Sequence, residues 1–365
     1  MRKIALTQTA TGTWAASSVI RTSLEREGVI TRIEANMEIT PSATIAGAVQ
    51  TQGLYRVAQN LRILAGGHTF MELPSTGESG HGSTLLHYVN NEDFGGMPGF
   101  PDQQTISAPD RTFHPVTFVL HCGSRPRLNG LDNPFDLSGC IPAFKVQDLI
   151  AEWTTGLNSV MDDTVTISSG VVRYTIYFVV GTHEEIAAEM VRQQVHLPQE
   201  LRGATAMIPA WVGEVFGLDT TYTDFSYNRN IPTSRYMKRI SILSQDATGT
   251  RALLANDEVT GVKVSVKLQD VLKVFGQSLS SKMKKANFTV ADDAVELGAG
   301  GHAKGILIAD LRPFGHPDYG LNFLTGEAAQ VGAPKLGLTV TTNASGDDAL
   351  FLYEGYVPYY DKLGY

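Results

Sequence analysis

Apolar side chains recur at every second position through several long runs of this chain, and that period sets the expected fold class. In GVITRIEANMEIT (28–40), Val29, Thr31, Ile33, Ala35, Met37 and Ile39 share one face. Arg32, Glu34, Asn36 and Glu38 take the other, with Ile30 as the one apolar intruder. Successive side chains of a strand point to opposite sides, so the run predicts a long strand with one buried face. VVRYTIYFVV (171–180) aligns Val172, Tyr174, Ile176, Phe178 and Val180 in the same way. KVSVKL (263–268) and KLGLTVTT (335–342) alternate over shorter lengths. LFLYEGYV (350–357) is apolar and aromatic on both faces, as a strand covered on both sides is.

Clusters of Gly, Asp and Pro punctuate these runs at AGGH (65–68), NEDFGGMPGFPD (91–102), DATG (246–249) and ASGDD (345–349). The stretch 91–114 is long and rich in Gly and Pro, which predicts an extended surface loop. Helical patterns are few. THEEIAAEMVRQQ (182–194) opens on a capping box, Thr182 with Glu185, followed by a stripe of Ile186, Met190 and Val191. LQDVLKVFGQSLSSKMKKA (268–286) sets Leu268, Val271, Leu272, Phe275, Leu279 and Met283 on one helical face. Its Lys282, Lys284 and Lys285 fall where cations suit a helix dipole. FKVQDLIAEWTTGLNSVM (144–161) fits either period. HLPQELRGATAMIPAW (196–211) holds two prolines and no period, and reads as a linker between two β-rich domains of similar size. Such a chain suggests two sandwiches or two jelly rolls.

Composition sharpens this. A chain of 365 residues predicts two domains, and 42% apolar residues suffice for a core in each. Charged residues are only 18%, below the usual value of about 25%, and 36 glycines supply turns. The net charge of −8 makes direct wrapping of nucleic acid a poor expectation, since that affinity comes from Lys and Arg on phosphates. No run reaches the ~18 apolar residues of a membrane span. The start, MRKIALTQTATGTW, lacks the continuous apolar core of a leader, so a soluble protein made without a cleaved leader is expected. Cys122 and Cys140 are too few for a disulfide framework; one pairing is open to them, and burial as thiols is the expectation.

NPFDLSGCIP (133–142) brings together Asp136, Ser138 and Cys140. It lacks the strand-elbow motif of a serine nucleophile. His121 and Cys122 are adjacent and so point to opposite sides of a strand, which argues against a Cys–His pair. The expectation is a turn in which Asp136 bonds backbone while Leu137 and Ile141 enter the core. GAGGHAKG (298–305) lacks the Lys-Ser/Thr of a phosphate loop and precedes a strand-like run, not a helix. His68, His81, His87, His114 and His121 show no metal-ligand spacing. The carboxylate pairs Asp162–Asp163, Glu184–Glu185, Asp292–Asp293 and Asp347–Asp348 sit at turns or helix starts. No catalytic, cofactor-binding or metal-binding residue is therefore assigned, and no enzyme activity is expected.

Several blocks arrive in an order that resembles a known family. GLYRVAQNLRILAGGHTFMELPSTG (53–77), after the 28–40 strand, resembles the opening of double jelly-roll major capsid proteins of tailless icosahedral viruses with an internal membrane, the tectivirus-like lineage. Leu54, Tyr55, Val57, Leu61, Ile63, Gly66, Gly67, Phe70, Leu73 and Pro74 carry the match. NPFDLSGCIPAF followed by LIAEW resembles the next block and favours a strand at 149–153. RYMKRISILSQDATGTRA (235–252) and 321–359 resemble the start and close of the second half.

The resemblance implies an all-β chain of two side-by-side eight-stranded jelly rolls with a few short helices. The domains expected are an N-terminal arm (1–27), a first jelly roll (28–195) and a second (205–359). It implies a major capsid protein of a bacteriophage-type virion, made in the host cytoplasm, trimerising into pseudo-hexagonal capsomers that tile an icosahedral shell. Its partners would be its own copies in the homotrimer and in neighbouring capsomers, penton and minor capsid proteins, and lipid of an internal membrane, with no direct nucleic acid and no cofactor. Arg2, Lys3 and Trp14 are the candidate membrane-facing arm, because basic residues attract anionic lipid and Trp favours interfaces. The competing class is a tandem β-sandwich carbohydrate-binding or carbohydrate-active protein, for which DTTYTDFSYNRN (219–230) would supply the aromatics.

Overall fold

A computed structural model of the chain describes residues 1–42, 58–66, 68–73, 114–123, 136–156, 166–194, 204, 206–218, 222–227, 235–245, 259–266, 269–275, 306–315, 319–323, 335–340 and 347–359. The first half contains β1 (Arg2–Thr13), β2 (Val19–Ser23), β3 (Val29–Pro41), β4 (Ala58–Ala65), β5 (His68–Glu72), β6 (His114–His121), the two-residue β7 (Ile141–Pro142), β8 (Leu149–Thr155) and β9 (Ile167–Val180). A helix, α1 (His183–Gln194), follows. The second half contains β10 (Ala206–Pro209), β11 (Val212–Leu218), β12 (Tyr222–Tyr227), β13 (Tyr236–Gln245), β14 (Val259–Val266), β15 (Gln269–Phe275), β16 (Ile306–Asp310), β17 (Leu321–Asn322), β18 (Lys335–Val340) and β19 (Asp347–Tyr359).

These strands form four antiparallel sheets, two per half. The first half gives β1-β9-β3-β6, with β7 beside β3, and β2-β8-β4-β5. The second gives β10-β19-β13-β16, with β11 also on β19 and β17 on β13, and β12-β18-β14-β15. When β10 and β11 are taken as one broken strand and the short β7 and β17 are set aside, both halves have one wiring. The first strand in chain order pairs with the last, the last with the third, and the third with the sixth. The second, seventh, fourth and fifth make the other sheet. That is the eight-stranded jelly-roll order, found twice in one chain.

The long strands behave as their alternation predicts. In β3, Ile33, Ala35, Met37 and Ile39 are buried while Arg32, Glu34, Asn36 and Glu38 are half-buried on the outer face. Ile30, out of phase in the sequence, is buried as well. A bulge explains it: Ile30 pairs with Phe178 and Arg32 with Tyr177, so Thr31 is an extra residue that returns Ile30 to the core side. In β9, Val172, Tyr174, Ile176 and Phe178 face the same core. β19 is buried continuously from Ala349 to Tyr356, as a strand covered on both faces requires. Gly66, in the left-handed region at φ +57°, turns β4 into β5. The ambiguous 149–153 stretch is strand, within β8.

Three expectations are corrected. Residues 1–27 are not a separate arm, since β1 pairs along β9 and β2 along β8. Without them the first half would lack its first two strands; the Thr-rich run RKIALTQTATGT suits a sheet better than a tail. The helix expected from 268 is a strand over Gln269–Phe275, hairpinned onto β14. Val271, Leu272 and Phe275 fit a helical stripe, but β14 offers Val274 and Leu272 cross-strand partners in Val262 and Val264, and pairing overrides periodicity. The lysines of 282–285 lie outside the described residues. Within the expected linker 196–211, Ala206–Pro209 is β10, and 206–211 is buried throughout. Of the loop expected over 91–114, only His114 is described, as the first residue of β6, and the stretch 298–305 falls outside the described residues.

Candidate functional site

The stretch that first suggested chemistry is a structural turn. The Ser138 N–H donates to Asp136 Oδ1 at 2.9 Å, an Asx-type bond that closes the turn locally. Leu137, Cys140 and Ile141 are buried. Cys122 is buried while its neighbour His121 lies half-exposed on the other side, and both cysteines are free thiols. Among the described residues, no group of three or more His, Cys, Asp or Glu is placed to hold a metal ion. No described helix is long and apolar enough to cross a membrane. Of the aromatic stretch 219–230, Tyr222–Tyr227 is β12, paired with β18.

The features with functional content are the seam between the halves and two buried charge clusters. The seam starts where β10 and β11 break. Ala210 N–H donates to Gly355 O at 2.8 Å, which keeps the chain on β19. Trp211 then turns to the first half: its N–H donates to Phe70 O at 2.7 Å, and its carbonyl accepts from Glu72 N–H at 3.1 Å. The Trp211 side chain is buried in the first half's core cluster, together with Leu350 and Leu352 of β19. Two hydroxyls bolt the other end of β19 to the first half. Tyr356 Oη donates to Gly123 O at 3.0 Å, and Tyr359 Oη to Lys145 O at 2.9 Å.

The helix fills the remaining angle of this seam. Its capping box forms as expected: Thr182 N–H donates to Glu185 Oε2 at 3.0 Å, and Glu185 N–H to Thr182 Oγ1 at 3.2 Å. Such a cap stabilises a helix by about 1 kcal/mol. Backbone and side-chain bonds to Thr182 and the facing N-terminal ammonium hold the Glu185 carboxyl below its ordinary pKa. Ile186 and Met190 pack with Val29, Val179, Leu137 and Cys140 of the first half and with Ala206 and Ile208 of the second. Val191, expected on the same stripe, is exposed. One apolar cluster therefore draws on both halves and the helix between them.

Charge is buried at two points. Arg239 of β13 and Glu354 of β19 are 0% exposed and form two parallel bonds, of 2.7 and 2.8 Å. Asp310 of β16 is the other cross-strand neighbour of Arg239, and it binds Arg312 as well. Burial alone would raise the Asp310 pKa, but Arg312, with help from Arg239, holds it below the ordinary value. In the first half, Glu152 of β8 is 2% exposed and sits between Arg21 of β2, at 2.6 Å, and Arg62 of β4. Near the seam, Arg235 donates to Ala210 O at 2.7 Å, and burial lowers its pKa to about 10. Sequence reasoning missed these residues. The available signal was charge inside an apolar strand, the Lys238–Arg239 pair in MKRISIL and Glu354 in LYEGYV.

The arm residues separate. Arg2 and Lys3 are exposed at the start of β1, whereas Trp14 is 5% exposed and packs in the first core. Its indole is spent inside the jelly roll, so Trp14 offers no exposed ring to a lipid surface.

No protein-family model matches the chain, and no curated protein matches its sequence. Solved structures do match. The STIV major capsid protein, from Sulfolobus Turreted Icosahedral Virus, aligns at a TM-score of 0.69 with 18% identity, over 100% of this chain and 99% of that one. The major capsid protein P2 from bacteriophage PM2 aligns at 0.56 with 10% identity, over 100% of both chains. VP54 of PBCV-1 aligns at 0.56 with 12% identity, over 97% of this chain and 93% of that one. With the strand order found in both halves, these likenesses show that the chain has the double jelly-roll fold of viral major capsid proteins.

Proposed function

We propose that this chain is a major capsid protein of an icosahedral virion. The observation that carries the reading is one strand order repeated in two halves and joined by a buried seam, which makes a wide double block from a single chain. Full-length likeness to shell proteins of several viruses supports it. The bounds proposed for the two jelly rolls are 28–195, completed by β1 and β2, and 205–359. Three copies would close into a pseudo-hexagonal capsomer, because three double blocks present six similar barrels around one axis. Neighbouring capsomers, penton and minor capsid proteins are the proposed partners, with synthesis in the host cytoplasm before assembly. The solved neighbours include a bacteriophage protein and a Sulfolobus virus protein, so the virion reading stands without a choice of host. If the shell encloses a membrane, Arg2 and Lys3 are the exposed basic residues of the N-terminal segment proposed to face anionic lipid. The role needs no catalytic centre.

The test is native mass together with negative-stain imaging of the purified chain. The expected result is a particle near three times 39.5 kDa with a hexagonal outline. A stable monomer at micromolar concentration, with no sheets or shells on concentration, would overturn the reading.

A further inference from the structure

The β1-β9-β3-β6 sheet carries a recess of about 350 Å3, with Ile4 and Phe178 of the first core among its lining. Lys3, Ala5, Arg32, His121 and Tyr177 line it. The register explains why they meet. Arg32 lies opposite His121 on one side and opposite Tyr177 on the other, and Tyr177 lies opposite Ala5. One row of side chains thus crosses four strands, and Lys3 stands two residues along β1 on the same side. Ala5 is the short member of the row, so the recess opens over it.

The cationic wall is built in advance. The Arg32 guanidinium lies 3.8 Å above the Tyr177 ring. Glu34 holds it at 2.8 Å and accepts a bond from Tyr177 Oη at 3.0 Å. Arg32 is therefore fixed by stacking and by an ion pair, and need not be ordered by a ligand. Lys3 adds a second positive charge, and His121 adds an imidazole to the lining. Three basic groups gather here on a chain whose net charge is −8.

We propose that this recess binds a phosphate-class oxyanion. A planar carboxylate is best served by the two-pronged edge of one arginine, and Glu34 already engages that group here. A tetrahedral, doubly charged anion can instead take donors from several side chains, and Lys3, Arg32 and His121 line the recess from three different strands. The same chemistry is offered by free inorganic phosphate and by the phosphomonoester headgroup of phosphatidic acid.

The experiment uses the full chain. Calorimetric titration with sodium phosphate, against sodium chloride at equal ionic strength, should give a saturable signal for phosphate only. Lys3→Ala and His121→Ala should each weaken binding about tenfold, as expected for loss of a charge-assisted bond. Ala5→Leu keeps every charge but fills the recess, and should abolish binding. Arg173→Ala removes a cation from the same face outside the recess and should leave binding unchanged. Circular dichroism and melting curves confirm that each variant is folded; Lys3 is exposed, so its variant holds the test if Ala5→Leu disturbs β1. Flotation with phosphatidic acid vesicles against phosphatidylcholine vesicles separates the sources. Phosphate binding without flotation assigns a free anion, and flotation lost in Lys3→Ala assigns the headgroup. A phosphate signal no larger than chloride's, or Lys3→Ala and a folded Ala5→Leu binding as the wild type does, would overturn the proposal.

Discussion

Arg239 and Glu354 face each other across β13 and β19 without solvent exposure, joined by bonds of 2.7 and 2.8 Å. The pair sits in the middle of the second half's β10-β19-β13-β16 sheet, where apolar residues would pack as readily. Its value is conditional: each charge is the other's bidentate partner in the buried sheet. Glu354→Ala should therefore destabilise the chain by about 3–5 kcal/mol, because it removes the bidentate partner of a buried guanidinium and leaves it only the flanking Asp310. The double variant Arg239→Met/Glu354→Leu should cost less than either single change. Urea unfolding of the four proteins tests this, and equal, additive losses would show that the two residues do not act as a pair.

The same row sets a pH dependence. Asp310 has a folded pKa below its unfolded value, opposed by burial but driven by Arg312 and Arg239. A depressed carboxyl contributes stability that is complete above the unfolded value of about 3.9 and is lost as pH falls through the folded one. Stability should therefore drop with acid below about pH 4, and the drop should be shallower in Asp310→Asn. Melting curves from pH 5 downward measure it. An unchanged slope in the variant would assign the acid sensitivity to other carboxylates.

How far the sequence speaks depends on whether a signal is local. The alternating strand 28–40, the capping box at Thr182 and Glu185, the AGGH turn and the doubly covered 350–357 strand follow from neighbours along the chain, and each is found where expected. The 269–275 strand was misread because its spacing satisfies two periods, and only the partner strand β14 decides between them. The N-terminal strands were misread for the same reason: β1 is defined by β9, about 170 residues away in the chain, and loop closure over such lengths leaves no local mark. The seam is the extreme case. Nothing beside Trp211 says that its backbone bonds Phe70 and Glu72, since those contacts exist only once both sheets are built.

That seam makes a prediction about cooperativity. Trp211 is buried among first-half residues while the strands on either side of it, β10 and β11, belong to the second. Trp211→Ala should cost about 3–5 kcal/mol, as for large-to-small core changes. It should also broaden the unfolding transition, because the halves then lose one of their shared anchors while the α1 cluster remains. Tyr356→Phe and Tyr359→Phe, which delete only the hydroxyl bonds to Gly123 and Lys145, should cost about 1 kcal/mol each and keep one transition. Calorimetry distinguishes the outcomes, and a transition for Trp211→Ala as sharp as the wild type's would mean that the α1 cluster and the remaining contacts suffice to couple the halves.

Two glycines with nearly the same backbone separate strain from crowding. Gly28 and Gly66 lie in the left-handed region, at φ +60° and +57°. A Cβ at Gly28 would come within 2.4 Å of the Val179 carbonyl oxygen, whereas at Gly66 nothing lies within 4 Å. Gly66→Ala should therefore pay only the conformational term, about 1 kcal/mol. Gly28→Ala adds a clash with the backbone of β9 beside the helix-bearing seam cluster, where Val29 and Val179 pack against Ile186. Its loss should exceed that of Gly66→Ala by about 2 kcal/mol or more, in the range of strained or overpacked sites. The two variants should also differ in kind. Gly66→Ala should leave chymotryptic cutting of the native chain unchanged, while Gly28→Ala should speed it by loosening the packing of α1. Equal melting temperatures for the two would show that β3 and β9 can part at Gly28 without cost, and that the start of β3 is not held as tightly as the Val179 contact requires.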